Sequence, residues 1–296
     1  MIDLTSLTTE QRNEHSGKLD QMSALEIVTL MNKEDQHVLE AIKKELPNIA
    51  KVVDICSKAL NNQGRIIYIG AGTSGRLGLL DAVECPPTFG VNHNTVVGLL
   101  AGGQEAFVKA KEGAEDSETL AQKELEAIGC NKNDVVIGIA ASGRTPYVIF
   151  GLMYANSIGC KTVAIANNKD SQMAHVANIA IEPVTGPEIL TGSTRLKAGT
   201  SQKIVLNMIS TASMVGIGKV YENLMVDVMQ TNKKLVTRAE NIVMSATECD
   251  REIAQQKLFE ADGHVKTAIT MILLDISKQE ALKRLSDANG HIRKCL

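Results

Sequence analysis

Five short segments constrain this chain most: 65–70 (RIIYIG), 95–100 (TVVGLL), 134–140 (DVVIGIA), 161–166 (KTVAIA) and 177–182 (ANIAIE). Each is rich in β-branched residues and almost continuously apolar. A strand without polar alternation is buried on both faces, which happens in parallel sheets covered by helices. Helical patterns fall between them, at 75–84, 104–112, 116–128 and 145–158. Alternating strand and helix predict a doubly wound α/β fold with a mainly parallel sheet. Residues 22–62 read as two amphipathic helices, with Val38, Leu39, Ile42, Leu46 and Ile49 at helical intervals. All six prolines occur by position 187, and residues 200–237 repeat as one long buried helix. Residues 246–296 read as three small helices broken at Gly263 and Gly290. The expected division is an α/β domain with its N-terminal helices over 1–240 and a small helical subdomain over 241–296.

Composition excludes several classes. The net charge of −3 and the presence of four Tyr, four Phe and no Trp argue against a nucleic-acid binder, which needs a clustered basic surface and stacking platforms. The six cysteines form no C-x-x-C, and the six histidines show no H-E-x-x-H, so reduced thiols and neither metal nor cofactor are expected. No apolar run is long enough to cross a bilayer, and the N-terminus lacks a signal-like core, so a cytoplasmic protein is expected.

Gly70-Ala71-Gly72-Thr73-Ser74-Gly75 satisfies G-x-G-x-x-G between a strand and a helix. A dinucleotide site also requires an acidic residue about 20 positions on, at the end of the next strand. That strand ends in Leu100-Ala101-Gly102-Gly103, so the fingerprint fails. What remains is a glycine turn carrying the hydroxyls of Thr73 and Ser74 at a helix N-terminus, where amide donors and the helix dipole favour an anion. Residues 134–144 repeat the pattern, ending in Ser142-Gly143-Arg144 before Thr145. A third polar cluster, 191–200 (TGSTRLKAGT), carries Ser193, Thr194, Arg195 and Lys197. N-capping explains any one of these hydroxyls. Three such turns in one chain suit a phosphorylated, many-hydroxyl ligand such as a sugar phosphate. Ser74, Ser142, Thr145 and Ser193 are the expected hydroxyl donors, Gly75 and Gly143 the expected amide donors, and Lys197 and Arg195 the expected positive charge.

Two carboxylates complete the set. Glu84 precedes Cys85-Pro86-Pro87, and the prolines predict a helix that stops there. A carboxylate at a helix C-terminus faces the negative end of the dipole, which favours a proton donor. Glu115 occupies the polar turn Glu112-Gly-Ala-Glu-Asp-Ser117, where a solvated surface charge is the plain reading.

These segments together resemble the N-acetylmuramic acid 6-phosphate etherase family. The matching blocks are 70–90 (GAGTSGRLGLLDAVECPPTFG), 111–117 (KEGAEDS), 141–148 (ASGRTPYV) and 190–203 (LTGSTRLKAGTSQK), with 8–13 (TTEQRN) and 32–38 (NKEDQHV) before them. Glu14-His15 stands where the family pattern has Asn-Pro. The resemblance implies a sugar isomerase-type fold and cleavage of the D-lactyl ether of N-acetylmuramic acid 6-phosphate. The products would be N-acetylglucosamine 6-phosphate and D-lactate, formed by a cytoplasmic homodimer that recycles cell-wall sugars. It maps the family's proton donor onto Glu84 and its second carboxylate onto Glu115.

The chemistry accounts for two carboxylates without a metal. In the open-chain sugar the C2 proton is next to the aldehyde, and the lactyl oxygen on C3 is β to that carbonyl. A base removes the C2 proton while an acid protonates the departing lactate oxygen; water then adds to the unsaturated aldehyde. Glu84 is expected as the acid, and Glu115 as the group that takes the C2 proton or handles the water. Two further readings use the same turns: a sugar-phosphate aldose–ketose isomerase, and a non-catalytic sugar-phosphate-binding regulator. His264 and Lys266 are further residues of interest, either closing over a neighbouring subunit's site or covering a small helical bundle.

Overall fold

The computed structural model describes residues 7–109, 111–228 and 233–296. The chain divides into two compact units, Met1–Val83 with Asn94–Ser210, and Glu84–His93 with Thr211–Leu296. The position expected as a boundary, 240/241, falls inside a helix, Lys233–Thr247.

The first unit is built on five parallel strands: β1 (Ile66–Gly70), β2 (Val96–Leu100), β3 (Val135–Ile139), β4 (Lys161–Ile165) and β5 (Ile179–Ile181). They are ordered β2-β1-β3-β4-β5, so the chain winds outward from β1 in both directions. The five apolar segments thus become the five strands, and β1 and β3 are buried along their whole length. Successive side chains point to opposite faces of a strand. Ile67, Ile69, Val136 and Ala164 pack with Tyr147, Val148, Leu152 and Ala155 of α5 (Pro146–Ser157) and Leu125 of α4 (Leu120–Ala127). Tyr68, facing the other way, donates its hydroxyl to Asp81 of α2 (Gly72–Phe89) at 2.9 Å, and Asn207 and Ser210 donate to the same carboxylate.

Residues 22–62 form one helix rather than two. This is α1 (Ala24–Asn61), opened by a capping box between Ser23 and Glu26 and continuous through Pro47. Val38, Ala41, Ile42, Ile49, Val52, Cys56 and Ala59 extend one buried stripe across the proline. Burial on both sides of Pro47 offsets the hydrogen bond that the proline removes. The pattern at 104–112 yields only a short helix, α3 (Glu105–Val108); within that stretch Ala110 is outside the described residues. A further short helix, α6 (Gln172–Val176), follows β4.

The long helix expected at 200–237 is broken. Helix α7 runs Lys197–Gly216, a hairpin follows in β6 (Val220–Tyr221) and β7 (Leu224–Met225), and α8 occupies Lys233–Thr247. Positions 229–232 of that expectation are outside the described residues. The hairpin delivers Tyr221, Val226 and Val228 to the core of the second unit, which a straight helix could not do. That core is closed by α8, α9 (Arg251–Glu260), α10 (Val265–Leu274) and α11 (Lys278–Asp287). The last three are the expected three-helix region, and Gly263 and Gly290 fall in the breaks between elements. Among the described residues no helix is long and apolar enough to cross a membrane.

Candidate active site

In a parallel sheet the loops at the carboxyl ends of the strands open together, and ligands bind there. The turns after β1 and β3 lie at this edge of the first unit; the segment that carries Glu115 is bonded to α5 beside the second turn, and Gly199 of the 191–200 cluster approaches Thr73 of the first.

Thr73 and Ser74 occupy the first turn of α2, with Ser74 buried and Thr73 half-buried. Gly75 plays a different part from the one expected. Its N–H donates to the Ala71 carbonyl at 3.1 Å, so it is not an open amide. Its role is close approach: a Cβ there would be 2.4 Å from the Gly70 carbonyl oxygen. The glycine lets α2 start directly on the end of β1, and the N–H groups of Gly72, Thr73 and Ser74 are the ones without an intrahelical partner.

Gly143 behaves alike. Its N–H donates to Ala140 at 3.0 Å, its φ is +70°, and a Cβ would meet the Cβ of Ser171 at 2.4 Å. The turn is buttressed from behind, because Met173 N–H donates to the Gly143 carbonyl at 3.1 Å. Glu182, at the end of β5, accepts the N–H groups of Asp170 and Ser171 at 3.0 and 2.9 Å and thereby orders that support. Ser142 Oγ accepts from the Arg144 N–H at 3.3 Å, which leaves its own proton available to a ligand. Thr145 is the N-cap residue of α5 and makes no side-chain cap bond there.

Glu115 is exposed, and its main chain is fixed. Its carbonyl accepts the Tyr147 N–H at 3.0 Å, tying it to the first turn of α5 beside Thr145. Tyr147 is anchored in turn by its hydroxyl, 2.5 Å from Glu124 Oε2. On its other side Glu115 lines a cavity of about 180 Å³ together with Ala71, Gly72 and Arg76. The third cluster approaches the first turn of α2 at Gly199, where a Cβ would be 3.5 Å from Thr73 Cγ2 and from the Thr194 carbonyl. Ser193 and Thr194 are half-buried, and Arg195 is exposed.

Lys197 is not poised as a surface cation. It is 2% exposed, and its Nζ is 2.7 Å from Glu34 Oε2 of α1. Burial alone would raise the Glu34 carboxyl, but hydrogen bonds from Lys197, His15 and Asn13 outweigh it and hold the pKa at about 2. The start of α7 also has its own anion: Glu188 accepts the N–H groups of Lys197 and Ala198 at 3.1 and 2.9 Å. Burial pushes the Glu188 carboxyl up, against those two amides and the Lys197 charge. Sequence reasoning missed Glu34, Glu182 and Glu188. Glu182 and Glu188 were visible only as single carboxylates at the end of an apolar segment and in a turn segment, and Glu34, among the polar residues 32–37 of α1, gave no signal.

In the second unit, Glu84 is exposed on α2, and the helix does not stop after it. It runs through Pro86 and Pro87 to Phe89, where the Gly90 N–H closes the last turn onto the Pro86 carbonyl at 2.9 Å. The prolines sit in the final turn, their fixed φ is itself helical, and only the bonds their missing N–H groups would make are lost. Glu84 is therefore a side chain on a helical face rather than at a helix end. In the same unit Lys266 is paired with Asp227 at 2.6 Å, and His264 is the N-cap residue of α10.

A doubly wound parallel sheet with hydroxyl-bearing glycine turns at its carboxyl edge is the architecture of a sugar isomerase (SIS) domain. The family described as "Glucokinase regulatory protein N-terminal SIS domain" matches residues 48–156, and "SIS domain" matches 114–212. A solved phosphoheptose isomerase from Francisella tularensis has a TM-score of 0.51 at 16% identity, covering 66% of this chain and all of that one. A Neisseria gonorrhoeae phosphoheptose isomerase gives 0.50 at 16% identity, covering 64% and 96%. At such identities the likeness is one of fold. Sequence relatives are far nearer. N-acetylmuramic acid 6-phosphate etherases of Geobacillus sp. (strain WCH70) and Bacillus mycoides are 59% and 57% identical over 293 residues, with 99% or more of each chain covered. That of Pasteurella multocida is 54% identical over 291 residues, covering 98% and 97%. The chain belongs to the N-acetylmuramic acid 6-phosphate etherase family.

Proposed function

We propose that this protein is a carbon–oxygen lyase cleaving the D-lactyl ether of N-acetylmuramic acid 6-phosphate, giving N-acetylglucosamine 6-phosphate and D-lactate in the recycling of cell-wall sugars. The observation that carries this reading is identity of 54–59% over nearly the whole chain to proteins bearing that name. The hydroxyls of Thr73, Ser74, Ser142, Thr145, Ser193 and Thr194 serve the phosphate and sugar hydroxyls. The position of the first four at the carboxyl ends of β1 and β3 supports this, as does the open donor of Ser142. Lys197 acts behind them, holding α7 to α1 through Glu34.

The reaction runs by elimination and hydration. A carboxylate removes the C2 proton, acidic because the aldehyde is adjacent, and a carboxylic acid delivers a proton to the lactyl oxygen as the C3–O bond breaks. Water then adds at C3. Glu84 is the acid and Glu115 the base or water-handling group, each contributing about 10²–10⁴-fold. The working unit is a cytoplasmic homodimer.

Incubating the purified protein with N-acetylmuramic acid 6-phosphate should release D-lactate, whereas Glu84→Gln should bind substrate without turnover. Near-normal lactate release by that variant would remove Glu84 from the acid role. Sugar-phosphate binding with no lactate from the unmodified protein would point to a regulator instead. Light scattering on the purified protein checks the dimer.

A further inference from the structure

We infer that the cavity beside Glu115 seats the lactyl carboxylate of the substrate and that Lys111 supplies its counter-charge, an inference that rests on the proposed activity and deepens it. The cavity, about 180 Å³, lies between the turn after β1 and the segment 111–115, and its lining includes Ala71, Gly72, Arg76, Lys111, Glu112 and Glu115. It is thus beside the group proposed to work on the sugar. The fragment that leaves is an α-hydroxy acid, the one part of the substrate that carries a second negative charge besides the phosphate.

Charge makes a cation necessary there. Glu112 and Glu115 both line the cavity, and a third carboxylate brought against them would be repelled. Two cations share the lining. Arg76 is already committed, with Nε donating to the Phe107 carbonyl at 2.8 Å and Nη2 to the Ala106 carbonyl at 2.7 Å. Lys111 has no hydrogen bond or ion pair among the described residues. Its stem is nevertheless held in place. A Cβ on Gly102, whose φ is +91°, would be 3.1 Å from Lys111 Cβ and 3.2 Å from Cδ, so the chain is laid along the turn after β2 as far as Cδ. At the other end of the segment, the Tyr147 N–H fixes the Glu115 carbonyl. A cation and a carboxylate four residues apart are thereby presented to one cavity from an anchored segment.

A counter-ion to the lactyl carboxylate acts equally on bound substrate and on the transition state, because that charge does not change as the ether breaks. Loss of Lys111 therefore raises KM and leaves kcat nearly unchanged. The test compares N-acetylmuramic acid 6-phosphate with its lactyl carboxamide, which is isosteric and uncharged, measuring release of lactate or lactamide. Lys111→Met should lower kcat/KM for the acid roughly 10- to 100-fold, the range of a lost charge-assisted bond. The same variant should leave the amide's kcat/KM within about twofold, and Lys111→Arg should recover most of the loss on the acid. Equal losses on acid and amide, or no loss on either, would overturn the assignment. Lactate release by the unmodified protein is a separate readout, and its absence would bring down the proposed activity itself rather than Lys111 alone.

Discussion

Replacing Lys197 with methionine separates two roles for this side chain that the sequence alone leaves merged. As a substrate ligand, Lys197 would affect KM and hardly affect stability. As the partner of Glu34, buried with it at 2.7 Å, it should matter chiefly to folding. Breaking a buried pair by deleting one member leaves an uncompensated charge and costs about 3–5 kcal/mol. The carboxyl supplies an upper bound, because His15 and Asn13 share in holding its pKa down. A pKa held at about 2 rather than 4.5 corresponds to about 3 kcal/mol of linkage. Because the pKa is depressed in the fold, that stability is present above pH 4.5 and is lost as pH falls from there toward 2. Thermal unfolding followed by far-UV circular dichroism should show Lys197→Met lowered by on the order of 10 °C at pH 7. The difference from the unmodified protein should shrink as the buffer is taken below pH 4. Adding Glu34→Gln to the variant removes the stranded charge and should restore much of the midpoint. An unchanged midpoint with a raised KM would refute the reasoning and return Lys197 to the ligand.

Other outcomes can be read with the same lactate assay and melting curves. Gly143→Ala forces a left-handed φ of +70° on a residue with a Cβ and drives that atom to 2.4 Å from Ser171, so stability should fall by about 2 kcal/mol or more and KM should rise. Ser142→Ala removes one open hydroxyl donor from the same turn without disturbing its shape; KM should rise roughly 10-fold with kcat and midpoint nearly unchanged. Asp134→Ala should cost about 3 kcal/mol, because it strips the buried partner from Arg65, bound at 2.7 Å through Nη2, and from the main-chain amides of Arg65 and Asn131. Glu182→Gln should loosen the support behind Gly143 and raise KM more than it lowers the melting midpoint; equal effects on both would make its role one of stability only.

The five strands were legible because a strand buried on both faces leaves a run of apolar residues that no other short element requires. The turns at their carboxyl ends were legible for a related reason: glycine is imposed at 75 by close approach of the Gly70 backbone, and at 143 by a left-handed φ and the closeness of the Ser171 side chain. The same closeness misled the reading of their amides, which bond within the turn and not outward. Proline at 86 and 87 signalled a helix end that tertiary context deferred to Phe89. The expected helix over 200–237 failed because helical spacing of apolar residues does not reveal that part of the run must turn back into a second core.

Local pattern and motif, then, were enough to specify the parallel α/β layers, the family, and the glycine turns that end β1 and β3, since each depends on residues close together in the chain. The choice of partner for each charge was settled only in three dimensions. Glu34 and Lys197 are 163 positions apart, and Lys169 reaches Glu45 across 124. Nothing in either neighbourhood announces the other. A buried charge takes whichever counter-charge the packing of α1 against the sheet brings within reach, and that geometry exists only once the chain has folded.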